Sequence, residues 1–267
     1  IHGSPTCEIF FDNAPAKLIG QRQRGLITYV MSLMNGARIG IAAQSLGIGE
    51  AACRAARDYA RTRKQFGVAI ETFPAVRDLL VEMGVDLQAA RALTYHAAFC
   101  VDIEQGIEAR LEARLDTDAE AVKTLRVEGR RHKNFNKLLT PMAKYYSSEM
   151  SMRVANGAMA VLGGSGYMQD YPVERHLRDS RITTIYEGTS QLQVVAAVSG
   201  VMSGTAEKYI EELAALAYDA EVKDLIDVLA EGVGQLKAAI EFTKDKGNEY
   251  MDLYGRALTD VAIDLIN

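Results

Sequence analysis

The chain contains no tryptophan, only 5 prolines and only 3 cysteines among its 267 residues. The cysteines, Cys7, Cys53 and Cys100, lie far apart and form no Cys-x-x-Cys pair, so neither a disulfide framework nor a zinc site is indicated. Cysteines of this kind favour a reducing compartment, which is the cytoplasm or, in a eukaryote, the mitochondrial matrix. The scarcity of proline, together with many alanines and leucines, favours helices.

Basic residues are also in deficit. The 30 Lys and Arg are outnumbered by 35 Asp and Glu, which gives a formal net charge of −5. This balance argues against a dedicated nucleic-acid-binding protein, because such proteins usually carry a basic excess. No apolar run approaches the roughly 18 residues that cross a bilayer, and no signal peptide opens the chain. With 48% hydrophobic and 24% charged residues, the composition is that of a globular protein.

Both ends of the chain suggest a piece of a longer protein. The chain begins without an initiator methionine, and the stretch up to Pro15 predicts a strand with Cys7, Ile9 and Phe11 on one face. A single strand has no partner and is unstable in water. At the other end, helical spacing continues almost to Asn267 without a stop signal.

Between the ends the hydrophobic period is helical. Apolar residues three and four apart predict a first helix from about Leu26 towards Arg63 and a second helix that starts at Pro74. A third helix is predicted to begin after Pro141 and to stop at Gly163. Shorter helices are expected near residue 172 and after residue 189, and three amphipathic segments follow residue 200. This pattern predicts a mainly α fold: an antiparallel four-helix bundle with a short N-terminal β remnant and extra C-terminal helices.

The segment 104–137 is highly charged, with acidic residues early and basic residues late. That order suits a helix dipole and predicts a solvated helix or a helical hairpin.

Two sets of residues that often bind metals or phosphates show no such pattern here. The histidines, His2, His96, His132 and His176, lack the spacing of metal ligands, and we interpret them as structural or surface residues. The glycines from 163 to 166 match neither a dinucleotide fingerprint, nor a phosphate loop, nor a nucleophile elbow. They predict a helix end, where backbone N–H groups can also approach a ligand phosphate closely.

A cationic cluster at the end of the first helix has two interpretations. Arg61, Arg63 and Lys64 come shortly before Phe66 and Gly67. Positive charge is favourable at a helix C-terminus, which is a purely structural reason for the cluster. The same residues can form an anion clamp, with Arg63 on a pyrophosphate and Phe66 on its apolar flank.

A lone carboxylate, Glu187, also has two interpretations. It lies next to Tyr186 and Gly188, immediately before a helix that Thr189 or Ser190 begins. It can simply favour the positive end of that helix. Alternatively, apolar neighbours make it basic enough to remove a proton from a substrate.

Taken together, these segments resemble the acyl-CoA dehydrogenase family. The sequence ARDYARTRKQFG (56–67) is similar to the family's flavin-pyrophosphate helix end, and VLGGSGYMQDYPVERHLRDSRITTIYEGTSQLQ (161–193) is similar to its carboxy-terminal signature. The opening HGSPTCEIFFDNAP resembles the end of the family's middle β-domain. We therefore expect a β-domain remnant at 1–16, a helical-bundle domain at 17–202 with a charged insertion at 104–137, and a truncated helical extension at 203–267.

The resemblance implies a chemical role for the residues around Glu187. Glu187 matches the catalytic base that removes the proton alpha to the thioester carbonyl of an acyl-CoA, while a hydride leaves the beta carbon for FAD. Its backbone N–H would polarise the thioester oxygen. Arg38 falls where the family has an arginine near the base and the substrate, Tyr186 would line the acyl entrance, and Gly188 would also contact the substrate. Some relatives carry the base on the helix that contains residues 35–38, but no carboxylate occurs at these four positions.

The resemblance also implies an FAD site that is shared between subunits. The positions matching FAD contacts are Arg63, Gln65 and Phe66, which reach the FAD of a neighbouring subunit, Gly163 and Gly164 near its adenosine half, and Thr189 and Gln191. Ala160 and Ser199 depart from the family, where glutamine and arginine occur at these positions in several relatives. A homo-oligomer, either a dimer or a tetramer, is therefore expected, with electron-transfer flavoprotein as the electron acceptor in fatty-acid β-oxidation.

Three other functions are compatible with parts of the pattern. An acyl-CoA oxidase uses the same proton and hydride chemistry but passes its electrons to oxygen. A non-catalytic relative would retain the fold for binding or scaffolding, although the retained Glu187 and the acidic balance argue against it. A purely structural bundle would leave the ordered motifs unexplained. Because most of the β-domain and the amino-terminal domain of the family are not represented, the piece alone is expected to be inactive.

Overall fold

The computed structural model describes residues 7–115 and 118–267, and at positions 27, 28, 31, 32 and 35 it describes the backbone only. Over this range the chain forms eight α-helices and one short β-hairpin. The helices are α1 (Met31–Thr62), α2 (Pro74–Glu112), α3 (Ala119–Leu162), α4 (Val173–Thr183), α5 (Ser190–Met202), α6 (Thr205–Ala214), α7 (Lys223–Lys246) and α8 (Asn248–Ile266). The strands are β1 (Lys64–Gln65) and β2 (Val68–Ala69).

The predicted N-terminal strand is not formed in the part of it that the structure describes. Residues 7–15 have neither strand nor helix, and Ile9 and Phe11 are exposed. The predicted strand was therefore wrong over these residues, because no described strand lies beside it to supply hydrogen-bond partners. Residues 1–6, which include His2, lie outside the described range.

The first helix and the following turn form as the sequence predicts, with one addition. A π-helical turn (Gly25–Val30) precedes α1. After α1 ends, the backbone N–H of Arg63 donates a hydrogen bond to the carbonyl oxygen of Tyr59. The antiparallel strands β1 and β2 then form a hairpin that the sequence did not indicate. Its turn residues, Phe66 and Gly67, have φ angles of +53° and +86°, as a two-residue turn between twisted strands requires. Pro74 occupies the first turn of α2.

The charged segment 104–137 is a helical hairpin, which confirms that prediction. The end of α2 and the start of α3 form its two arms, and Asp118 caps α3 by accepting hydrogen bonds from two backbone N–H groups. However, α3 begins at Ala119 and not after Pro141, which lies inside the helix. Leu138, Leu139 and Met142 around the proline are fully buried, and this packing outweighs the lost backbone hydrogen bond.

The core places α3 at the centre of an antiparallel bundle. α2 packs along α3 from Lys133 to Arg153, and α1, α4 and α5 also pack against α3. Side-chain contacts such as Thr94 to Ser147 and Asp86 to Arg153 show that α2 and α3 run in opposite directions. Helices α6 to α8 share a buried cluster with α3 and α5, so they continue the core of the bundle. None of the described helices combines the length and the apolar character needed to cross a membrane.

Candidate active site

The predicted carboxylate lies in a short loop between two helices that the sequence predicts. α4 ends at Thr183 and α5 begins at Ser190, with the Thr189 side chain accepting a hydrogen bond from the backbone N–H of Leu192 at 3.4 Å. The backbone N–H of Ser190 donates to the carbonyl of Thr184 at 3.0 Å and closes the loop. Residues 184–189 are therefore held between two rigid helix ends.

Glu187 has an unusual backbone and a positively charged surrounding. Its φ angle is +53°, a left-handed conformation that is uncommon for a residue with a side chain, and the residue is partly buried. Arg38 on α1 and Lys144 on α3 lie close enough to interact electrostatically with its carboxylate. Burial lowers the pKa of Arg38, and the Glu187 carboxylate opposes this shift. Within the described residues the Glu187 carboxylate accepts no hydrogen bond.

Two fully buried side chains that the sequence analysis did not single out bind the backbone of this loop. The Nζ of Lys144 donates to the carbonyl oxygen of Gly188 at 2.6 Å. The Nε2 of Gln193 on α5 donates to the carbonyl oxygens of Glu187 and Gly188 at 3.1 and 3.2 Å. Burial lowers the pKa of Lys144 to about 8, and Glu149 is the largest opposing influence.

A signal for Lys144 is present in the sequence. Lys144, Ser148 and Ser151 are spaced by four and three residues, so they lie on one face of α3 and all three are fully buried. A lysine on a helix face that is otherwise lined by small residues indicates a specific polar partner. The partner itself, Gly188, is not visible from the sequence.

Gly188 allows the loop to come close to Gln193. Its φ angle is +91°, and a Cβ atom at this position would lie 2.6 Å from the Gln193 Nε2. A larger residue would therefore require both backbone strain and movement of the amide.

The loop is also tied to the neighbouring helices through side chains. The Tyr186 hydroxyl donates to the Gln44 side chain of α1, and burial raises the pKa of Tyr186. The Ser190 hydroxyl donates to the Glu149 carboxylate of α3. The structure therefore brings Arg38, Tyr186 and Glu187 together.

The remaining predicted residues of this region lie at the start of α5, beside the C-terminal helices. The Gln191 side-chain oxygen accepts a hydrogen bond from Arg256 of α8 at 3.3 Å. The same guanidinium donates to the Tyr145 hydroxyl at 3.0 Å. Helix α8 therefore contacts the first turn after the Glu187 loop, which the sequence analysis did not anticipate.

A second group of predicted residues lies at the other end of the bundle. The Tyr59 hydroxyl near the end of α1 donates to the Ser165 hydroxyl after α3 at 3.1 Å, which brings the two helix ends together. This group consists of Arg63, Gln65, Phe66, Gly163 and Gly164, all of which are exposed. The Phe66 side chain is 87% exposed, and no atom lies within 4 Å of a Cβ placed on either glycine.

The two groups are far apart within one chain. Lys144, which contacts the Glu187 loop, and Gly163 stand 19 residues apart on α3 (163 − 144), a rise of about 30 Å at 1.5 Å per residue. One chain therefore presents two separate surfaces of predicted site residues, and they do not form one pocket.

Two clefts lie elsewhere and contain none of the predicted site residues. One, of about 300 Å³, lies between α2, α3 and α8 and is lined by Asp86, Glu149 and Asp264 among others. The other, of about 660 Å³, lies on α2 beside Val81 and Val85. Across residues 7–115 and 118–267, no three His, Cys, Asp or Glu side chains are placed to hold a metal ion.

Comparison with known proteins identifies a matching domain family and several relatives. Residues 24–202 match the acyl-CoA dehydrogenase C-terminal domain, a range that runs through the segment 104–137. An acyl-CoA dehydrogenase of Bacillus subtilis is 38% identical over 209 residues, which are 77% of this chain and 47% of the relative. The chain thus spans about half the length of the curated relatives it matches.

Solved structures show the same fold. The butyryl-CoA dehydrogenase of Megasphaera elsdenii is 32% identical, with a TM-score of 0.53 over 68% of this chain and 40% of that chain. An acyl-CoA dehydrogenase from Bacillus anthracis, solved with FAD, has a TM-score of 0.66 over 89% of this chain and 41% of that chain; at 19% identity, this likeness concerns the fold alone. The matched domain and the relatives together show that the chain belongs to the acyl-CoA dehydrogenase family.

Proposed function

We propose that this chain is the carboxy-terminal part of an FAD-dependent acyl-CoA dehydrogenase, which introduces a double bond between the alpha and beta carbons of an acyl-CoA thioester. The electrons pass to electron-transfer flavoprotein. One observation carries the proposal: the Glu187 carboxylate is held in a fixed loop, partly buried, beside the Arg38 guanidinium. The names of the relatives, an acyl-CoA dehydrogenase and a butyryl-CoA dehydrogenase, support the substrate class.

Glu187 acts as the general base in this proposal. Its carboxylate accepts no hydrogen bond from a described residue, so its oxygen lone pairs are available to take the proton from the alpha carbon. Arg38 and Lys144 place positive charge near the carboxylate, so that its negative charge is balanced in the partly buried loop.

The backbone N–H of Glu187 makes the second contribution to the proposed reaction. The N–H groups of Ile185, Tyr186 and Ser190 donate to backbone carbonyls, whereas the Glu187 N–H has no acceptor among the described residues. A thioester oxygen bound at this N–H becomes polarised, and the proton on the adjacent alpha carbon becomes more acidic. The base and the hydrogen-bond donor belong to the same residue, so the loop sets their relative positions.

The residues present fit an FAD-binding surface. FAD, when bound, supplies the acceptor for the hydride that leaves the beta carbon. Arg63, Gln65 and Phe66 offer an exposed cation, an amide and an aromatic ring, and the open backbone at Gly163 and Gly164 suits close approach of a phosphate-bearing ligand. Thr189 and Gln191 would contact the cofactor from the side of the Glu187 loop.

The distance between these surfaces supports a homo-oligomer, either a dimer or a tetramer. Gly163 lies about 30 Å along α3 from Lys144, which contacts the Glu187 loop, and Arg63 lies at the Gly163 end of the bundle, so we expect these residues to complete a site near Glu187 from a neighbouring subunit. Sedimentation of the FAD-bound longer protein would then give a multiple of the subunit mass. A monomer with full flavin content would contradict the shared site.

The longer protein that contains this chain provides the test. We expect acyl-CoA substrates of the right chain length to bleach its flavin, and Glu187→Gln to slow bleaching by about 10²- to 10⁴-fold with flavin still bound. Glu112→Gln, an exposed carboxylate at the end of α2, is the matched control and should leave the rate unchanged. An unchanged rate in Glu187→Gln would contradict the proposal. Peroxide formation in place of reduction of electron-transfer flavoprotein would identify an oxidase.

The 267-residue chain alone is expected to bind FAD weakly and to show no turnover, because the chain spans about half the length of its relatives. Purification of this chain with stoichiometric flavin, together with oxidation of an acyl-CoA, would contradict that expectation.

A further inference from the structure

We propose that Lys144 and Gln193 are positioning residues that hold Glu187 in its reactive orientation by fixing the carbonyl groups of Glu187 and Gly188. This inference rests on the proposed function, in which Glu187 is the base. It adds two residues that do not contact the substrate in that scheme and assigns them a separate, measurable task.

The loop needs such support because its backbone is strained. Glu187 and Gly188 have consecutive positive φ angles of +53° and +91°. A left-handed conformation at a glutamate costs free energy and persists only when the surrounding structure imposes it. The direction of the Glu187 side chain and of its backbone N–H depends on this conformation.

Three hydrogen bonds from two different helices impose the left-handed conformation of Glu187 and Gly188. Lys144 on α3 donates to the Gly188 carbonyl, and Gln193 on α5 donates to the carbonyls of both Glu187 and Gly188. Both donor side chains are fully buried. Two consecutive carbonyl groups are therefore fixed from two directions, which determines the orientation of the peptide between them.

Both donors occupy costly positions. The Oε1 of Gln193 is buried without a hydrogen-bond partner among the described residues, and the Lys144 amine is removed from water among small neighbours. An unpaired buried acceptor and a buried amine each reduce stability relative to an apolar residue of similar volume. Both side chains bind the same pair of carbonyl groups. A role in holding the Glu187 loop therefore explains why both unfavourable burials occur there.

The positioning role is tested first in the 267-residue chain by hydrogen–deuterium exchange. We expect Lys144→Met and Gln193→Met each to accelerate exchange in residues 184–191 by about 10-fold or more, with α2 and the rest of α3 unchanged. Lys137→Met, which replaces an exposed lysine on the same helix, should leave the loop unchanged. Unchanged loop exchange in Gln193→Met would overturn the proposal, even if Lys144→Met failed to fold.

The second measurement uses the longer, FAD-bound protein. We expect Gln193→Met and Lys144→Met to lower kcat by about 100-fold, while KM changes by less than about threefold and flavin content is unchanged. An unchanged kcat in variants with a loosened loop would overturn the positioning role. If Glu187→Gln remains active, the assignment of Glu187 as the base is wrong. This outcome differs from an unchanged kcat in the Lys144 and Gln193 variants, so the two failures can be distinguished.

Discussion

The ammonium nitrogen of Lys144 lies 2.6 Å from the carbonyl oxygen of Gly188, although the two residues are 44 positions apart in the chain. The contact joins the middle of the central helix α3 to the loop that carries Glu187. Because the lysine side chain is fully buried, the loop cannot move without exposing or stranding a charged group.

The buried lysine makes stability depend on pH in a defined direction. Burial lowers the pKa of Lys144 from its ordinary 10.5 to about 8. Below about pH 8 the lysine is charged in both states, and the folded protein bears the cost of burying that charge. Between about pH 8 and 10.5 the unfolded chain binds more protons, so raising the pH relieves the cost. We expect the free energy of unfolding to rise by about 1 kcal/mol from about pH 7 to about pH 9, relative to Lys144→Met.

Urea unfolding at the two pH values measures this difference. Burial raises the pKa of the Cys100 thiol to about 11, which opposes the trend above about pH 9. That contribution is present in both proteins and cancels in the comparison. Identical pH dependence in wild type and Lys144→Met would rule out a lowered pKa for Lys144 in the folded loop contact.

Alanine substitutions at two glycines with similar backbone angles distinguish the cost of backbone strain from the cost of a side-chain clash. Gly188 and Gly67 have φ angles of +91° and +86°, but only a Cβ at Gly188 would meet another atom, the Gln193 Nε2 at 2.6 Å. Alanine at either position costs about 1–2 kcal/mol from its left-handed backbone. We expect Gly188→Ala to cost about 1–3 kcal/mol more than Gly67→Ala in urea unfolding. Equal losses would mean that the Gln193 amide moves away freely.

The strain at Glu187 predicts opposite effects on stability and function. Replacing this residue by glycine removes the cost of a positive φ angle, so Glu187→Gly should stabilise the 267-residue chain by about 1 kcal/mol, as measured by urea unfolding. Glu187→Gln keeps the strained backbone and removes the negative charge beside Arg38 and Lys144, so it should not stabilise the chain. Both variants should be inactive in the longer protein. A destabilised Glu187→Gly chain would argue that the loop is unstrained.

The C-terminal helices should unfold together with the bundle. Ile263 on α8 is 1% exposed and belongs to the buried cluster that includes Leu138 of α3. We expect Ile263→Ala to cost about 2–5 kcal/mol in a single unfolding transition. Leu253→Ala on the same helix, where the side chain is 73% exposed, should change stability by less than about 0.5 kcal/mol. A separate early transition in Ile263→Ala would show that α8 unfolds independently.

Local rules predicted most of the helices. Apolar spacing located α1, α2 and the three C-terminal helices, Pro74 marked a start, Gly163 marked an end, and Thr189 proved to be a cap. The start of α3 was misplaced at Pro141, because the burial of neighbouring side chains there outweighs the local preference of proline. The N-terminal strand is not formed over residues 7–15, because no described strand lies beside it to supply hydrogen-bond partners.

The amino-acid sequence by itself determined the helical class of this protein, its family and the identity of its candidate base. Helix periodicity and an ordered motif are local properties, so both are visible in the amino-acid sequence alone. Only the tertiary structure decided that Lys144 and Gln193 hold the loop of Glu187, and that Arg63 lies at the opposite end of the bundle from it. Hydrogen bonds between residues distant in the chain depend on how helices pack, and packing is a property of the whole fold.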